Sequence, residues 1–234
     1  NWLAEAPANV SGDIFITNDG TPATQFLGWS LIYRGTEAQA LAAAAPLLAL
    51  PSVYSTNTSF DSFYDYQKSV PADLGGVSSY LFSSFLSNSS LQTGALGVAI
   101  DYARARFNST LAPVRSCTGT VLGGAVEWAG FQSGATAIHP GFRAARVALT
   151  CAAAWEAPGD VQFAEEIADG YATLLGTLGN GHYLNEPESH LSDWQQGFWG
   201  PREIYNQLAS TKLQVDPAAR FLCHHCVGAA DEAV

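Results

Sequence analysis

The sequence predicts an α+β protein in which an antiparallel sheet is covered on one face by helices. Two observations predict it: segments whose apolar residues recur every second position, and long segments with helical apolar spacing interleaved among them. Turn and capping residues stand at most of the joints.

The elements follow in order. Residues 12–17 and 25–34 read as strands, the second alternating through Phe26, Trp29, Leu31 and Tyr33, with Asn18-Asp19-Gly20 as the turn of a hairpin. Thr36-Glu37-Ala38-Gln39 has the capping-box pattern and opens an Ala/Leu helix that Pro51 terminates. Residues 60–67, with Phe60, Phe63, Tyr64 and Tyr66, form an aromatic helical segment, and residues 90–107 have helical spacing through Leu91, Leu96, Ile100 and Tyr102. Strands are expected over 117–129 and 146–155. In the second, Val147, Leu149, Cys151, Ala153 and Trp155 alternate with Arg146, Ala148, Thr150, Ala152 and Ala154, so one face is large and apolar and the other leaves room for a ligand. A helix over 160–178 carries Phe163, Ile167, Tyr171, Leu174 and Leu175 on one stripe and ends at Gly179-Asn180-Gly181.

Composition narrows the function. With 234 residues, 47% hydrophobic and 13% charged, the chain can bury a substantial core. A net charge of −11 with ten Lys and Arg argues against nucleic acid and against an anionic membrane surface. The longest apolar run, 41–50, is shorter than the roughly 20 residues that span a bilayer. The chain has no Met and starts at Asn1 without a basic, then apolar, leader, so processing before Asn1 is expected. Asn-x-Ser/Thr sequons at Asn9, Asn57, Asn88 and Asn108 point to a secreted glycoprotein.

Side-chain chemistry is sparse. The Cys223-His224-His225-Cys226 tail has metal-ligand residue types, but four consecutive ligands do not converge tetrahedrally, so no metal site is expected. Cys117 and Cys151 share the apolar strand face, either as free core thiols or as a cross-strand pair. Glu165 and Glu166 read as a solvated helix face, and Glu186 and Glu188 as a loop. The sequence contains no phosphate-binding glycine loop, nucleophile elbow or metalloprotease motif.

Two stretches carry a family likeness. One runs Tyr183-Leu184-Asn185-Glu186, Trp194, Phe198-Trp199-Gly200, Tyr205, Leu208, Lys212, Asp216-Pro217, Phe221 and Cys223 to Gly228. The other is Thr118 to Val126 followed by His139-Pro140-Gly141-Phe142-Arg143. Together they resemble the fungal type of the berberine-bridge-enzyme-like FAD-linked oxidases, of the vanillyl-alcohol-oxidase flavoprotein superfamily. The resemblance implies a substrate-binding domain over 1–180 and a segment over 181–234 that returns to pack on a separate flavin-binding domain. It implies FAD, held by an N-terminal FAD-binding chain of the same precursor and usually attached there covalently, and hydride transfer from an alcohol or sugar carbon with dioxygen as final acceptor.

By the same resemblance Tyr183 is the candidate base for the substrate hydroxyl. A phenol titrates at about 10, so that role needs help from a nearby cation or from the flavin's field. Asn185 would hold the turn or meet the flavin edge. Thr118, Thr120 and Thr150 would face the substrate, with Gln132 and His139 as polar candidates at a corner. Plant members often carry Gln near Thr150, and some sugar oxidases carry acidic or amide groups near Thr120, so the hydroxyls here leave the substrate open. The Cys223–Cys226 tail is then a local disulfide or two buried thiols. A large interface with the flavin chain is expected to cover apolar surface. The competing expectation is a carbohydrate-binding, lectin-like or storage protein that reuses the fold without flavin.

Overall fold

In chain order the elements are α1 (Trp2–Glu5), β1 (Val10–Asn18), β2 (Phe26–Tyr33), α2 (Glu37–Leu48), α3 (Phe63–Ser69), β3 (Ser78–Ser87), α4 (Asn88–Gln92), α5 (Ala95–Phe107), β4 (Arg115–Val121), α6 (Pro140–Ala144), β5 (Ala145–Trp155), α7 (Val161–Leu178), α8 (Trp194–Trp199) and α9 (Arg202–Val215), with a 3-10 turn at Gly124–Glu127. The computed structural model describes residues 2–18, 26–51, 54–70, 78–107, 115–127, 136–155, 159, 161–189 and 191–229. The five strands form one antiparallel sheet in the order β2-β1-β4-β5-β3.

Alternation decides which side of that sheet is dry. In β5 the side chains of Val147, Leu149, Cys151 and Ala153 are buried, while Ala148, Thr150 and Ala152 between them are only half-buried. The dry face adds Ile14, Ile16, Phe82, Leu86, Cys117 and Val121, and packs against Ala95, Ala99 and Ala103 of α5 and Ile167, Tyr171 and Leu175 of α7. Small residues let the two helices approach closely; a Cβ at Gly170 would lie 1.7 Å from the Tyr102 hydroxyl oxygen. Cys117 and Cys151 face each other in register on β4 and β5 and form a disulfide, which decides between the two alternatives the sequence left open.

Several sequence expectations are corrected. β3 was not anticipated: Phe82, Ser83, Ser84, Phe85 and Leu86 are all buried, so the strand lacks the contrast between faces that signals a half-exposed strand. The helix expected over 90–107 is two helices, α4 and α5, which meet at Gly94, whose φ of +88° a residue with a Cβ rarely adopts. The strand expected to reach 129 stops at Val121 and gives way to the 3-10 turn, while residues 128 and 129 lie outside the described residues. α2 ends at Leu48, before Pro51, and contains Pro46. The aromatic helix is shifted to Phe63–Ser69, where Ser62 caps it. Residues 19 and 20 of the first turn, Asn108 and Gln132 also lie outside the described residues.

The C-terminal segment closes the other side of β3. Asn180 N–H donates to Phe85 O at 3.1 Å, Phe85 N–H donates to Gly181 O at 3.2 Å, and His182 Nδ1–H donates to Ser83 O at 2.6 Å. His139 accepts the Gly141 amide through Nδ1 at 2.8 Å and also hydrogen-bonds the Gln196 backbone, joining α6 to α8. Gly181, at φ +89°, packs under this ring, and a Cβ there would sit 2.3 Å from His139 Cε1. Beyond it, Trp194, Phe198 and Tyr205 form a second apolar cluster, with His225 stacked on Trp194 at 5.1 Å. The Asp216 carboxylate anchors the tail by accepting from Lys212 and from the Arg220 and Phe221 amides at 2.9 and 3.0 Å, which hold its pKa down to about 2. Cys223 and Cys226 are joined in a local disulfide.

Two outcomes follow from this packing. Burial pushes the His139 and His182 imidazoles below their ordinary pKa, so their folded state favours the neutral ring. Their contribution is therefore complete above about pH 6.5 and is lost as the pH falls below it, and thermal melts from about pH 7 to about pH 5 should decline less steeply for His182→Asn than for the parent. Replacing both core cysteines, Cys117→Ala with Cys151→Ala, removes a cross-link spanning 34 residues and should lower the unfolding free energy by about 2–4 kcal/mol in a denaturant titration.

Candidate functional site

The sheet face turned away from α5 and α7 is organised in rows by its register. One row runs Phe15, Thr118, Thr150, Ser83 across β1, β4, β5 and β3; the next runs Asp13, Thr120, Ala148, Phe85. Neighbours in a row have Cβ atoms about 4.5–5.5 Å apart, so Thr118 and Thr150 present adjacent hydroxyls. Thr120 Oγ1 donates to Asp13 Oδ1 at 2.8 Å. Ala148 and Ala152 keep the floor shallow beside them.

A wall rises at the β3 edge. Phe85 packs edge-on to Phe142 at 5.4 Å, and Phe142 stacks on Tyr183 at 6.1 Å with 18° between the rings. Tyr183 is half-buried, and its amide donates to Ser83 Oγ at 2.7 Å. Its phenol oxygen accepts from Asn185 Nδ2 at 2.9 Å, which leaves the phenol proton directed elsewhere. Next along the turn, the Glu186 carboxylate accepts from Thr150 Oγ1.

The structure thus brings Tyr183, Asn185, Thr118 and Thr150 onto one face, with Thr120 on the same face but engaged by Asp13. His139 lies behind the aromatic wall as the N-cap of α6. Sequence reasoning missed Ser83, Asp13 and Glu186. Glu186 is no free loop carboxylate, because Thr150 holds it, and Glu188 is buried at 3% exposure. Glu165 likewise accepts from the Tyr80 hydroxyl at 3.1 Å rather than standing free on a helix face. The signal for Glu186 was its position three residues after Tyr183, within reach of the same strand pair.

Chemically, the face offers a flat floor of small residues and hydroxyls, an aromatic wall and a phenol. That set fits a planar conjugated ring and a hydroxylated ligand side by side. Among the described residues, no group of three or more His, Cys, Asp or Glu is placed to hold a metal ion. Cys223 and Cys226 pair with each other, and the His225 ring stacks in the aromatic cluster.

No protein-family model matches the chain. In sequence it is 27% identical over 179 residues to an uncharacterised FAD-linked oxidoreductase of Arthroderma benhamiae, covering 68% of this chain and 31% of that protein. It is 39% identical over 116 residues to the FAD-linked oxidoreductase notD of an Aspergillus species, covering 47% of this chain and 18% of that protein. In structure it matches the VAO-type flavoprotein MtVAO713 of Myceliophthora thermophila with a TM-score of 0.77 at 20% identity, over 97% of this chain and 43% of that one. A xylooligosaccharide oxidase of the same organism matches with a TM-score of 0.72 at 20% identity, over 98% and 51%. The match thus spans a third or less of these curated relatives and about half of these solved chains. In sequence the chain is similar to curated FAD-linked oxidoreductases of fungi, and its α+β fold is that of the matching part of solved VAO-type and berberine-bridge-enzyme-like flavoproteins.

Proposed function

We propose that the chain is the substrate-binding part of a secreted FAD-dependent oxidase that acts on an alcohol or sugar carbinol or lactol. The observation that carries this reading is the Tyr183–Asn185 turn, held against the hydroxyl row of the open sheet face. When bound, FAD supplies the acceptor for the hydride and passes both electrons to dioxygen, giving hydrogen peroxide. The residues here bind, orient and move a proton. Thr118 meets a hydroxylated substrate, Phe142 and Tyr183 bound the site on one side, and the Tyr183 oxygen, as the phenolate left after its own proton passes to solvent, takes the substrate hydroxyl proton. A xylooligosaccharide oxidase and a carbohydrate oxidase among the structural neighbours support a sugar or alcohol as substrate.

The flavin belongs, in this reading, to an N-terminal FAD-binding chain of the same precursor, usually attached to it covalently. Phe221 and Leu222, 77% and 64% exposed, border a groove that also includes Leu184, Trp199 and Val227; apolar surface of this kind supports a large contact with such a unit. Asn9, Asn57 and Asn88 are exposed, which supports glycosylation and secretion. Asn9 Nδ2 donates to Arg34 O, and Asn57 Nδ2 donates to Glu37. A glycosylated amide keeps one N–H, so both bonds can persist.

With the FAD-binding unit present, Tyr183→Phe should lower kcat by about a hundredfold or more with little change in KM, followed by oxygen uptake over a panel of alcohols and sugars. Activity within about twofold of the parent would remove Tyr183 as the proton acceptor. A native preparation lacking flavin absorbance and oxygen uptake would favour the carbohydrate-binding alternative. For the secretion reading, treatment with peptide N-glycosidase should reduce the native mass, and an unchanged mass would contradict it.

A further inference from the structure

We propose that Thr150 and Glu186 are positioning residues that clamp the Tyr183 turn onto the sheet, and that Thr150 is not a substrate contact. Ser83 and Thr150 face each other in register on β3 and β5. Ser83 holds the start of the turn: its hydroxyl accepts the Tyr183 amide at 2.7 Å and its carbonyl accepts His182 Nδ1–H at 2.6 Å. Thr150 holds the end, donating its hydroxyl proton to the Glu186 carboxylate. Between them, Glu186 N–H closes the turn on Tyr183 O at 3.0 Å. Both ends of the turn are therefore tied to one cross-strand pair.

The chemistry of the pair decides the roles. A threonine hydroxyl has one proton, and that of Thr150 is given to Glu186, so it is not available to donate to a ligand. Thr118, next in the same row, makes no side-chain hydrogen bond among the described residues and is left to face the substrate. A turn without such ties would wander on the surface, and a displacement of about 1 Å at a reacting group can cost about a hundredfold in rate.

The kinetic arm of the test rests on the reading of Tyr183 as the residue beside the reacting carbon; the exchange arm does not. In the full flavoprotein with its FAD-binding unit, Thr150→Val, Thr150→Ser and Glu186→Gln are compared by amide hydrogen exchange of the 181–187 segment and by oxygen-uptake kinetics. Thr150→Val and Glu186→Gln should speed exchange of that segment by about tenfold or more. They should also lower kcat by about tenfold to a hundredfold with KM within about twofold, and Thr150→Ser should retain parental values in both measurements. Glu186→Gln keeps the test decisive if Thr150→Val does not fold. Unchanged exchange in both variants, or a raised KM at unchanged kcat and exchange in Thr150→Val, overturns the clamp. Faster exchange in a protein that oxidises nothing upholds the clamp and sinks the oxidase reading instead.

Discussion

Because β3 sends Phe82 and Leu86 toward α7 and Ser83 and Phe85 toward the C-terminal segment, its burial requires chain from both sides, and the arrangement of the molecule follows from that need. On one side the requirement is met by an apolar helix. On the other it is met largely by hydrogen bonds, through the Ser83 hydroxyl and carbonyl and the Phe85 amide and carbonyl. A strand buried this way has its polar groups paired, since each unpaired buried group would cost about 1–3 kcal/mol. The same bonds fix where Tyr183 stands over the sheet, so the candidate site is a consequence of closing the fold.

The tail beyond α9 extends the logic. Asp216 gathers the Lys212 ammonium and two backbone amides, and the Cys223–Cys226 disulfide closes the turn in which His225 reaches Trp194. Ligand-type residues there are spent on holding a short, irregular segment that has little apolar core of its own. The segment leaves apolar side chains outside, Phe221 and Leu222 among them.

What could be read from the sequence depended on contrast between faces. β5 was legible because only one of its faces is dry, whereas β3 was not, because both are covered and its Ser and aromatic residues carry no two-residue period. The split of the 90–107 helix was not foreseen because the break rests on one glycine conformation at Gly94. In the site, Tyr183, Asn185 and the three threonines were singled out by the family resemblance, and the structure places them on one face with Thr120 engaged by Asp13 and Thr150 by Glu186. Glu186 was set aside as a loop residue because its partner lies 36 residues away on β5, a distance no local pattern reports. The Cys117–Cys151 pairing was undecidable until the register placed the two residues opposite each other.

The proposed function requires that the Tyr183 turn lie where the open sheet face meets a flavin. A photoreactive azidophenylalanine in place of Tyr183, irradiated in the whole protein together with the FAD-binding unit of the proposal and mapped by mass spectrometry, tests this directly. A cross-link from position 183 to the flavin is the expected product. Cross-links confined to protein distant from the flavin, with the flavin recovered unmodified, would contradict the account.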